Sequence, residues 1–331
     1  MSQSEAISTV PPSLRESAVS VDEAAAILRN GGLVAFPTET VYGLGADARN
    51  PEALKRLFKV KGRPADHPVI VHLASAKEVT QWAENVPEFA GRLAERFWPG
   101  PLTLVFKRAG HVSDSITGGQ DTVALRVPGH PIAQELLQSF GGGIAGPSAN
   151  RFGRLSPTSA EHVHADLGAD IDAVVDGGNC DVGIESTIVD CSGDAPVLLR
   201  PGRITATEIE TTAGMPLGGA GTESPRVPGA LPAHYAPRAE LRLLRRTEII
   251  EAVATNKGKR LAALLLEIPV PRLPASQAIV EPAVALSYAR GLYANLRMLD
   301  ATGADVILVE SPPNLPAWAA VLDRLQRAAH H

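Results

Sequence analysis

The sequence predicts an α/β protein of two unequal domains joined by a linker. The chain has 331 residues, which is long for one domain and comfortable for two. Short apolar runs alternate with amphipathic stretches of helical period, and this alternation is typical of α/β proteins. Glycine and proline interrupt the alternation near residue 220. We therefore expect a disordered lead-in at 1–19, a larger domain at 20–207, a linker or lid at 208–237 and a smaller domain at 238–331.

The larger domain is predicted to begin with a helix and a buried strand. Ser20 and Glu23 form a capping box, which starts helices, and Gly31 follows the last apolar residue of that helix. Residues 33–36 are apolar and predict a strand. The threonines and glycines of residues 37–45 then suit either a binding loop or an ordinary connection.

Strands and helices continue to alternate through the larger domain. Asn50 followed by Pro51 predicts a helix over 52–60, because an asparagine N-cap and a proline in the first turn favour helix initiation. Apolar runs and capping residues predict the remaining elements in the same way. The strands are expected at 68–73, 102–106, 122–127, 144–145, 172–175, 185–190 and 197–202, and the helices at 76–82, 87–97, 131–140 and after 156–158.

The smaller domain has a Rossmann-like pattern. Apolar runs at 241–244, 261–266 and 306–309 predict strands, and residues 283–299 and 317–329 have the period of helices. No glycine fingerprint connects one of these strands to a helix. Nucleotide binding is therefore not expected in this domain.

The composition excludes several classes of protein. A net charge of −5 gives no general attraction to nucleic acid or to a membrane surface. Aromatic residues make up 4% of the chain, too few for a typical RNA-binding surface that stacks bases. No apolar run approaches the ~18 residues of a membrane helix. Two cysteines, Cys180 and Cys191, are too few for a secreted disulfide scaffold, which predicts a cytoplasmic location.

Two short polar segments are the strongest candidates for a binding site. Lys61 and Arg63 flank Gly62 just beyond a predicted helix, and Ser148 and Asn150 follow a Gly-Pro turn. Ammonium, guanidinium, hydroxyl and amide groups together suit phosphate oxygens. Cations also favour helix C-termini, and serine or asparagine can cap a turn. A structural role therefore stays open for each segment.

Two further polar residues lie within predicted strands. Arg126 alternates with Leu125 and Val127 and so faces the opposite side of the sheet. An arginine on an inner sheet face must be paired or bound to a ligand. His72 lies next to the end of its strand, where a histidine is more commonly a core residue than a ligand contact.

Taken together, these motifs resemble those of the YrdC-like family. Lys61-x-Arg63 with Ser148-x-Asn150 is similar to the KxR and SxN signature of that family, and residues 37–44 resemble its opening loop. Three other segments are similar to the two-domain members of the family, namely 234–237, 292–300 and 323–329. The resemblance spans nearly the whole chain after the lead-in.

The resemblance implies a fold and an activity. The fold is a twisted, open, mixed sheet around a large cavity, with the smaller Rossmann-like α/β domain behind it. The activity is L-threonylcarbamoyladenylate synthesis, in which L-threonine, bicarbonate and ATP give threonylcarbamoyl-AMP and pyrophosphate. The product would pass to the tRNA threonylcarbamoyl transferase machinery. Mg²⁺ would arrive with ATP and take no ligand from protein side chains, and neither a membrane nor stably bound nucleic acid is expected.

The resemblance also assigns residues to each substrate. The threonine and carbamate contacts would be Thr40, His72, Arg126 and Ser186, with Arg126 on the carboxylate. The ATP contacts would be Lys61, Arg63, His67, Thr122, Ser148, Asn150, Ser156 or Thr158, Arg200 and Tyr235. Lys61 and Arg63 would also act in catalysis. His67 stands where the family commonly has asparagine.

Two other functions fit parts of the sequence. An RNA-binding module could use the same basic concave surface, although the charge and the low aromatic content oppose it. A related enzyme could transfer a carbamoyl group from another carbamoyl-adenylate. Such enzymes normally carry zinc-finger segments, and this chain has no CxxC motif.

Overall fold

The computed structural model of the chain describes residues 19–221, 224–229, 231, 233–256 and 258–330. Of the predicted lead-in, only residue 19 lies among them. The described residues build a nine-stranded mixed sheet and, after it in the chain, a four-stranded parallel sheet. This arrangement confirms the predicted fold class. No described helix is both long and apolar enough to cross a membrane.

The large sheet brings polar strand ends to the same place. Its strands are β1 (Val34–Phe36), β2 (Gly43–Asp47), β3 (Ile70–His72), β4 (Leu102–Lys107), β5 (Thr122–Arg126), β6 (Ile144–Ala145), β7 (Ala173–Val174), β8 (Thr187–Asp190) and β9 (Val197–Arg200). They lie in the order β7-β1-β2-β6-β3-β5-β4-β8-β9. Because β3 and β5 are parallel neighbours, His72 is paired in register with Arg126.

Seven helices among the described residues accompany this sheet. They are α1 (Val21–Arg29), α2 (Pro51–Lys61), α3 (Glu88–Phe97), α4 (Asp114–Thr117), α5 (Pro131–Phe140), α6 (Ala160–Leu167) and α7 (Ala206–Ala213). Residues Ala76–Gln81, predicted as part of a helix, form a 3₁₀ helix. The Asn50 side chain caps α2 as predicted. The helix continues to Lys61 and ends at Gly62, whose φ of 64° is left-handed. Lys61 is thus the last helical residue, not a loop residue as the sequence suggested.

The small sheet consists of β10 (Glu240–Leu244), β11 (Leu261–Leu266), β12 (Ala278–Glu281) and β13 (Val306–Glu310), in the order β10-β13-β11-β12. Its helices are α8 (Arg246–Ala254), α9 (Ala285–Ala301) and α10 (Ala319–Ala328). Every residue of β11 is buried. A parallel strand covered on both faces has this continuous apolar pattern.

Five of the described strands and α-helices were not predicted from the sequence: β2, β12, α4, α7 and α8. Helix α7 lies mostly inside the stretch predicted as linker, and the predicted boundary at residue 207 falls within it. Thr205 and Glu208 form its capping box. Ile209 and Ala213 of α7 are buried in the core of the large sheet, so this segment packs as part of the larger domain.

One face of α9 lies against helix α6 and against the segment that leads into β8. Arg290, Tyr293 and Arg297 recur at helical spacing and contact Asp181, Glu185 and Asp166 respectively. Gly183 lies between Asp181 and Glu185 and packs on the backbone of α9. A Cβ atom at Gly183 would lie 2.4 Å from the carbonyl oxygen of Arg290. Only glycine fits this approach, and the smaller domain is thereby held close to Ser186.

Candidate active site

A single cavity collects most of the residues that the sequence singled out. The space between its walls is about 630 Å³, including the part that is open to solvent. Ten of the predicted residues line it: Thr40, Lys61, Arg63, His72, Arg126, Ser148, Asn150, Ser186, Arg200 and Tyr235. Four of these are cations, and among the described lining residues Glu185 is the one carboxylate. The cavity therefore suits an anionic ligand.

The two predicted segments form one hydrogen-bonded unit. Lys61 Nζ donates to Ser148 O at 2.5 Å and to Asn150 O at 2.7 Å. The strand-like pairing of Ser148 with Gly43 fixes the same loop from its other side. Burial and the nearby Arg63 lower the pKa of Lys61 well below its usual range. Lys61 thus anchors the serine-asparagine loop, and an anionic ligand beside it would favour its charged form.

Among the described residues, the Arg63 side chain makes fewer hydrogen bonds than that of Lys61. Its Nη2 donates to Pro68 O at 2.6 Å, whereas its buried Nε has no hydrogen-bond partner among the described residues. Burial lowers the pKa of Arg63 to about 10, so the side chain stays a cation at neutral pH. A buried cation with unused donors is placed to bind an anion.

A second group of contacts surrounds Arg126. Its Nη1 donates to Thr40 Oγ1 at 2.9 Å and its Nε to Gly100 O at 3.2 Å. Glu39 Oε1 lies 2.7 Å from Nη2 and forms an ion pair with it. His72 lies beside Arg126 and packs so closely on Gly146 that a Cβ atom there would approach its Nδ1 to 2.7 Å. The register of β3 and β5 therefore explains why His72 and Arg126 lie on the same wall of the cavity.

Arg200 and Ser186 connect the two groups. Arg200 lies at the end of β9, and its Nε and Nη2 donate to Ser186 O at 3.1 and 2.9 Å. The Ser186 hydroxyl also lies 2.8 Å from Thr103 Oγ1. Arg200 Nη1 donates to Pro228 O in the linker at 2.8 Å. Arg200 thus joins the sheet to the segment that covers the cavity.

The linker closes one side of the cavity with Tyr235. This residue is 1% exposed and has a left-handed φ of 61°, which is uncommon for a residue other than glycine. Its hydroxyl lies against Gly229, where a Cβ atom would be 1.9 Å away. The Arg324 guanidinium lies 5.3 Å from the Tyr235 ring centre. Packing on both sides holds the linker in this strained position.

Glu185 is the most important site residue that the sequence did not reveal. Its carboxylate accepts from Ser156 Oγ at 2.5 Å, Tyr293 OH at 2.9 Å and Arg324 Nε at 2.7 Å. Burial alone would raise its pKa, but the guanidinium groups of Arg324 and Arg200 outweigh burial and lower the pKa to about 2. Thr38, Phe152 and His234 also line the cavity unpredicted.

Six polar atoms of lining residues are buried without a hydrogen-bond partner among the described residues. They are Arg63 Nε, His72 Nδ1, Arg126 Nη2, Asn150 Oδ1, His234 Nδ1 and Tyr235 OH. Buried polar groups in folded proteins are nearly always satisfied, so their clustering indicates that a polar ligand completes them.

The remaining predicted residues lie outside the cavity wall. The His67 ring packs at 5.5 Å from Phe152, and Thr122 pairs with Lys107 at the start of β5. Ser156 is bonded to Glu185, and the Thr158 backbone N–H donates to His162 Nδ1 at 3.2 Å. The ATP contacts proposed for these four residues stay predictions.

The buried His72 makes stability depend on pH. Burial and the adjacent Arg126 lower the pKa of His72 to about 3, from an ordinary value of 6.5. The unfolded chain therefore takes up a proton below pH 6.5 that the folded protein does not, and stability is lost as pH falls toward 3. Near pH 5 we expect this residue alone to cost about 2 kcal/mol of the free energy of unfolding.

Urea denaturation of the wild type and His72→Gln at about pH 5 and about pH 7.5 checks this cost. The variant should lose about 2 kcal/mol less than the wild type between the two conditions. Equal losses would show that His72 titrates alike in both states.

Comparisons with known proteins identify the family. Residues 26–202 match the Sua5, YciO and YrdC family model described as "Telomere recombination", and residues 204–330 match "Threonylcarbamoyl-AMP synthase, C-terminal domain". A threonylcarbamoyl-AMP synthase of Pyrococcus abyssi is 42% identical over 92% of this chain and 93% of its own length. One of Bacillus subtilis is 41% identical, over 93% and 92%.

A solved structure agrees over the same length. The crystal structure of P. abyssi Sua5 complexed with L-threonine is 42% identical, with a TM-score of 0.86 over 93% of this chain and 94% of that one. A double-alanine variant of the same protein also superposes with a TM-score of 0.86. The chain therefore belongs to the Sua5, YciO and YrdC family, in its two-domain form with the threonylcarbamoyl-AMP synthase C-terminal domain.

Proposed function

We propose that the chain is a threonylcarbamoyl-AMP synthase, which converts L-threonine, bicarbonate and ATP to threonylcarbamoyl-AMP and pyrophosphate. One observation carries this proposal: a single cavity combines the Arg126 group with the Lys61, Arg63 and Arg200 cations, and some of its buried polar atoms have no hydrogen-bond partner among the described residues. The names of the relatives and the L-threonine in the P. abyssi complex support the same reaction.

The charges of the cavity suit the proposed chemistry. The amine of threonine and bicarbonate form a carbamate with loss of water, and a carbamate oxygen then attacks the α-phosphorus of ATP as pyrophosphate leaves. Nucleophile and phosphate are both anions, so the reaction needs convergent cations and orientation more than a strong base. Four lining cations meet this need.

The contacts suggest a role for each group of residues. Arg126, with His72 and Ser186, would hold threonine and its carbamate, and burial keeps the pKa of His72 so low that it binds as neutral imidazole. Arg63, Arg200 and Asn150 would face the phosphates. Lys61 would hold the loop of Ser148 and Asn150 in place, because both of the hydrogen bonds that its Nζ makes among the described residues go to that loop.

Mg²⁺ is expected to enter with ATP. The oxygens of Glu185 already accept from Ser156, Tyr293 and Arg324, so this lining carboxylate offers no free oxygen. Phosphate oxygens and water would then coordinate the ion, as Mg²⁺ commonly requires. When bound, it would neutralise charge on the departing pyrophosphate.

The two rival functions have less support. In this chain, four cations and several buried polar atoms that lack a hydrogen-bond partner among the described residues lie in one cavity. An RNA-binding module does not need that arrangement. A different carbamoyl-adenylate transferase would not be expected to share the second domain, which matches the synthase model over 204–330. We expect the product to pass to the tRNA threonylcarbamoyl transferase machinery in the cytoplasm.

Pyrophosphate release tests the proposal. Release should require ATP, threonine and bicarbonate together, and omission of either threonine or bicarbonate should reduce it to background. Release that ignores bicarbonate would contradict carbamate formation. Binding of RNA without any turnover would favour the binding module.

A further inference from the structure

A second cavity lies where the two domains meet, and we call it the interdomain cavity. Its volume is about 550 Å³, within the range of ligand pockets. The larger domain lines it with residues from 181–184 and 198–207, and the smaller domain with the first turns of α9 and with residues from 316–321. None of the described residues lines both this cavity and the candidate active site. The interdomain cavity is therefore a separate space, at the kind of boundary where ligands commonly bind.

The walls of the interdomain cavity are mostly apolar. Its buried lining residues are Ile184, Ile204, Ala289, Ala320 and Val321. Alanine occupies six of the described lining positions, and these short side chains leave room between the two domains. An apolar molecule that enters this room removes its own surface and that of the walls from water, which is favourable. It also gains van der Waals contacts with both domains.

The charges around the interdomain cavity favour an anionic group on its ligand. Its charged lining residues are Asp181 and Arg203. Asp181 Oδ1 lies 3.1 Å from Arg290 Nη2, so its charge is offset. Arg203 has no ion-pair partner among the described residues. Glu208 is near enough to interact with it electrostatically, but the Glu208 carboxylate already accepts from Thr205. An anion beside Arg203 would therefore meet a cation that no carboxylate of the described chain neutralises at close range.

Two helices add positive partial charge of the same sign. The first turns of α9 and α10 line the interdomain cavity, and neither N-cap residue supplies a side-chain hydrogen bond. The backbone N–H groups at a helix N-terminus carry partial positive charge, which favours an anion nearby.

The shape of this cavity suits a small molecule better than a protein. Leu286, at 57%, is the one large apolar side chain among the described lining residues that is mostly exposed. A stable protein interface needs about 800 Å² of surface on each partner, with an apolar centre. We propose that the interdomain cavity binds a small organic anion with an apolar body, of the class of aromatic carboxylates and sulfonates, whose anionic group lies beside Arg203. This inference goes beyond the proposed function and does not depend on it.

Two fluorescent probes that differ in charge test the ligand class. 1-Anilinonaphthalene-8-sulfonate carries an anionic group, and N-phenyl-1-naphthylamine has the same rings without it. The wild-type full chain should bind one equivalent of each probe. Arg203→Ala should weaken binding of the sulfonate by roughly 3- to 5-fold, the effect of one exposed ion pair, and leave the neutral probe unchanged. Arg260→Ala removes another surface arginine and should change neither dissociation constant.

Variants that fill the interdomain cavity test where the probes bind. Ala206→Leu and Ala285→Leu narrow it from opposite domains, and each should weaken both probes by about 10-fold or more. Ala301→Leu, at the exposed far end of α9, should leave both dissociation constants unchanged. Loss of the fold would expose apolar surface and raise the fluorescence of the sulfonate, so a failed fold cannot imitate the expected loss of binding.

Three results would overturn the inference. Unchanged binding of both probes to the two filling variants would place them elsewhere on the protein, and displacement of the probes by ATP would place them in the candidate active site. Equal affinity of the wild type and Arg203→Ala for the sulfonate would remove the assigned contact with the anionic group. A wild type that binds neither probe would also contradict a small-molecule site and would favour a protein occupant.

Discussion

Replacement of Arg63 by alanine should lower kcat/KM by about 100-fold or more while the protein stays folded. Arg63 lines the cavity and is 8% exposed, and its Nε has no hydrogen-bond partner in the part of the chain that the structure describes. Loss of one preorganised donor that meets developing charge typically costs about 3 kcal/mol of transition-state stabilisation, which is a factor of ~100 in rate. Among the described residues, the variant loses one side-chain hydrogen bond, from Nη2 to Pro68 O. The melting temperature should therefore change by only a few degrees.

Matched variants make this prediction specific. Arg260→Ala removes an arginine whose ion pair with Asp305 is on the surface of the smaller domain, and it should leave turnover unchanged. Arg63→Lys keeps the charge but loses the planar fork, and its activity should lie between those of the wild type and Arg63→Ala. Normal turnover of Arg63→Ala would show that Arg63 takes no part in the reaction. Collapse of the fold would show that Arg63 is structural.

Arg324→Leu should produce the largest loss of stability, about 3–5 kcal/mol in the free energy of unfolding. The side chain is fully buried and donates to Glu185 Oε2 at 2.7 Å across the domain boundary. Its loss leaves a buried carboxylate without that counterion, which is the costly way to break an ion pair. Urea denaturation measures the effect. Activity should fall too, because Arg324 also packs against the Tyr235 ring.

A double variant isolates the ion pair. Glu185→Gln combined with Arg324→Leu removes both charges, so it should recover a large part of the stability that Arg324→Leu loses. Equal losses in Arg324→Leu and in the double variant would mean that the unpaired Glu185 carboxylate does not cause the loss of stability. The pKa of Glu185 is lowered to about 2, so the stabilisation is present above about pH 4.5 and is lost as pH falls toward 2.

The parts of the site that local sequence specifies were predictable. The Lys-x-Arg and Ser-x-Asn segments were selected by residue type and turn chemistry, and the structure joins them through Lys61 Nζ. Arg126 was selected because it alternates with Leu125 and Val127 along a strand. The predicted need for a partner is met by Glu39, and the parallel pairing of β3 and β5 brings His72 alongside.

The parts that depend on distant contacts were not predictable. Glu185 lies 139 residues before Arg324, and no local pattern marks them as partners. Strand β2 contains two glycines, and its pairing with β1 and β6 overrides their low strand propensity. Helix α7 was not predicted because its threonines and alanines are also typical of a linker. Burial of Ile209 in the core stabilises the helix. In each case tertiary packing, rather than local propensity, decides the structure.

The most direct test of this account is detection of the reaction product. The full chain is incubated with ATP, Mg²⁺, L-threonine and isotopically labelled bicarbonate, and the nucleotides are analysed by mass spectrometry. The account predicts threonylcarbamoyl-AMP that carries the label, formed by the wild type and greatly reduced in Arg63→Ala. Threonyl-AMP without the label, or AMP formed equally without bicarbonate, would contradict it.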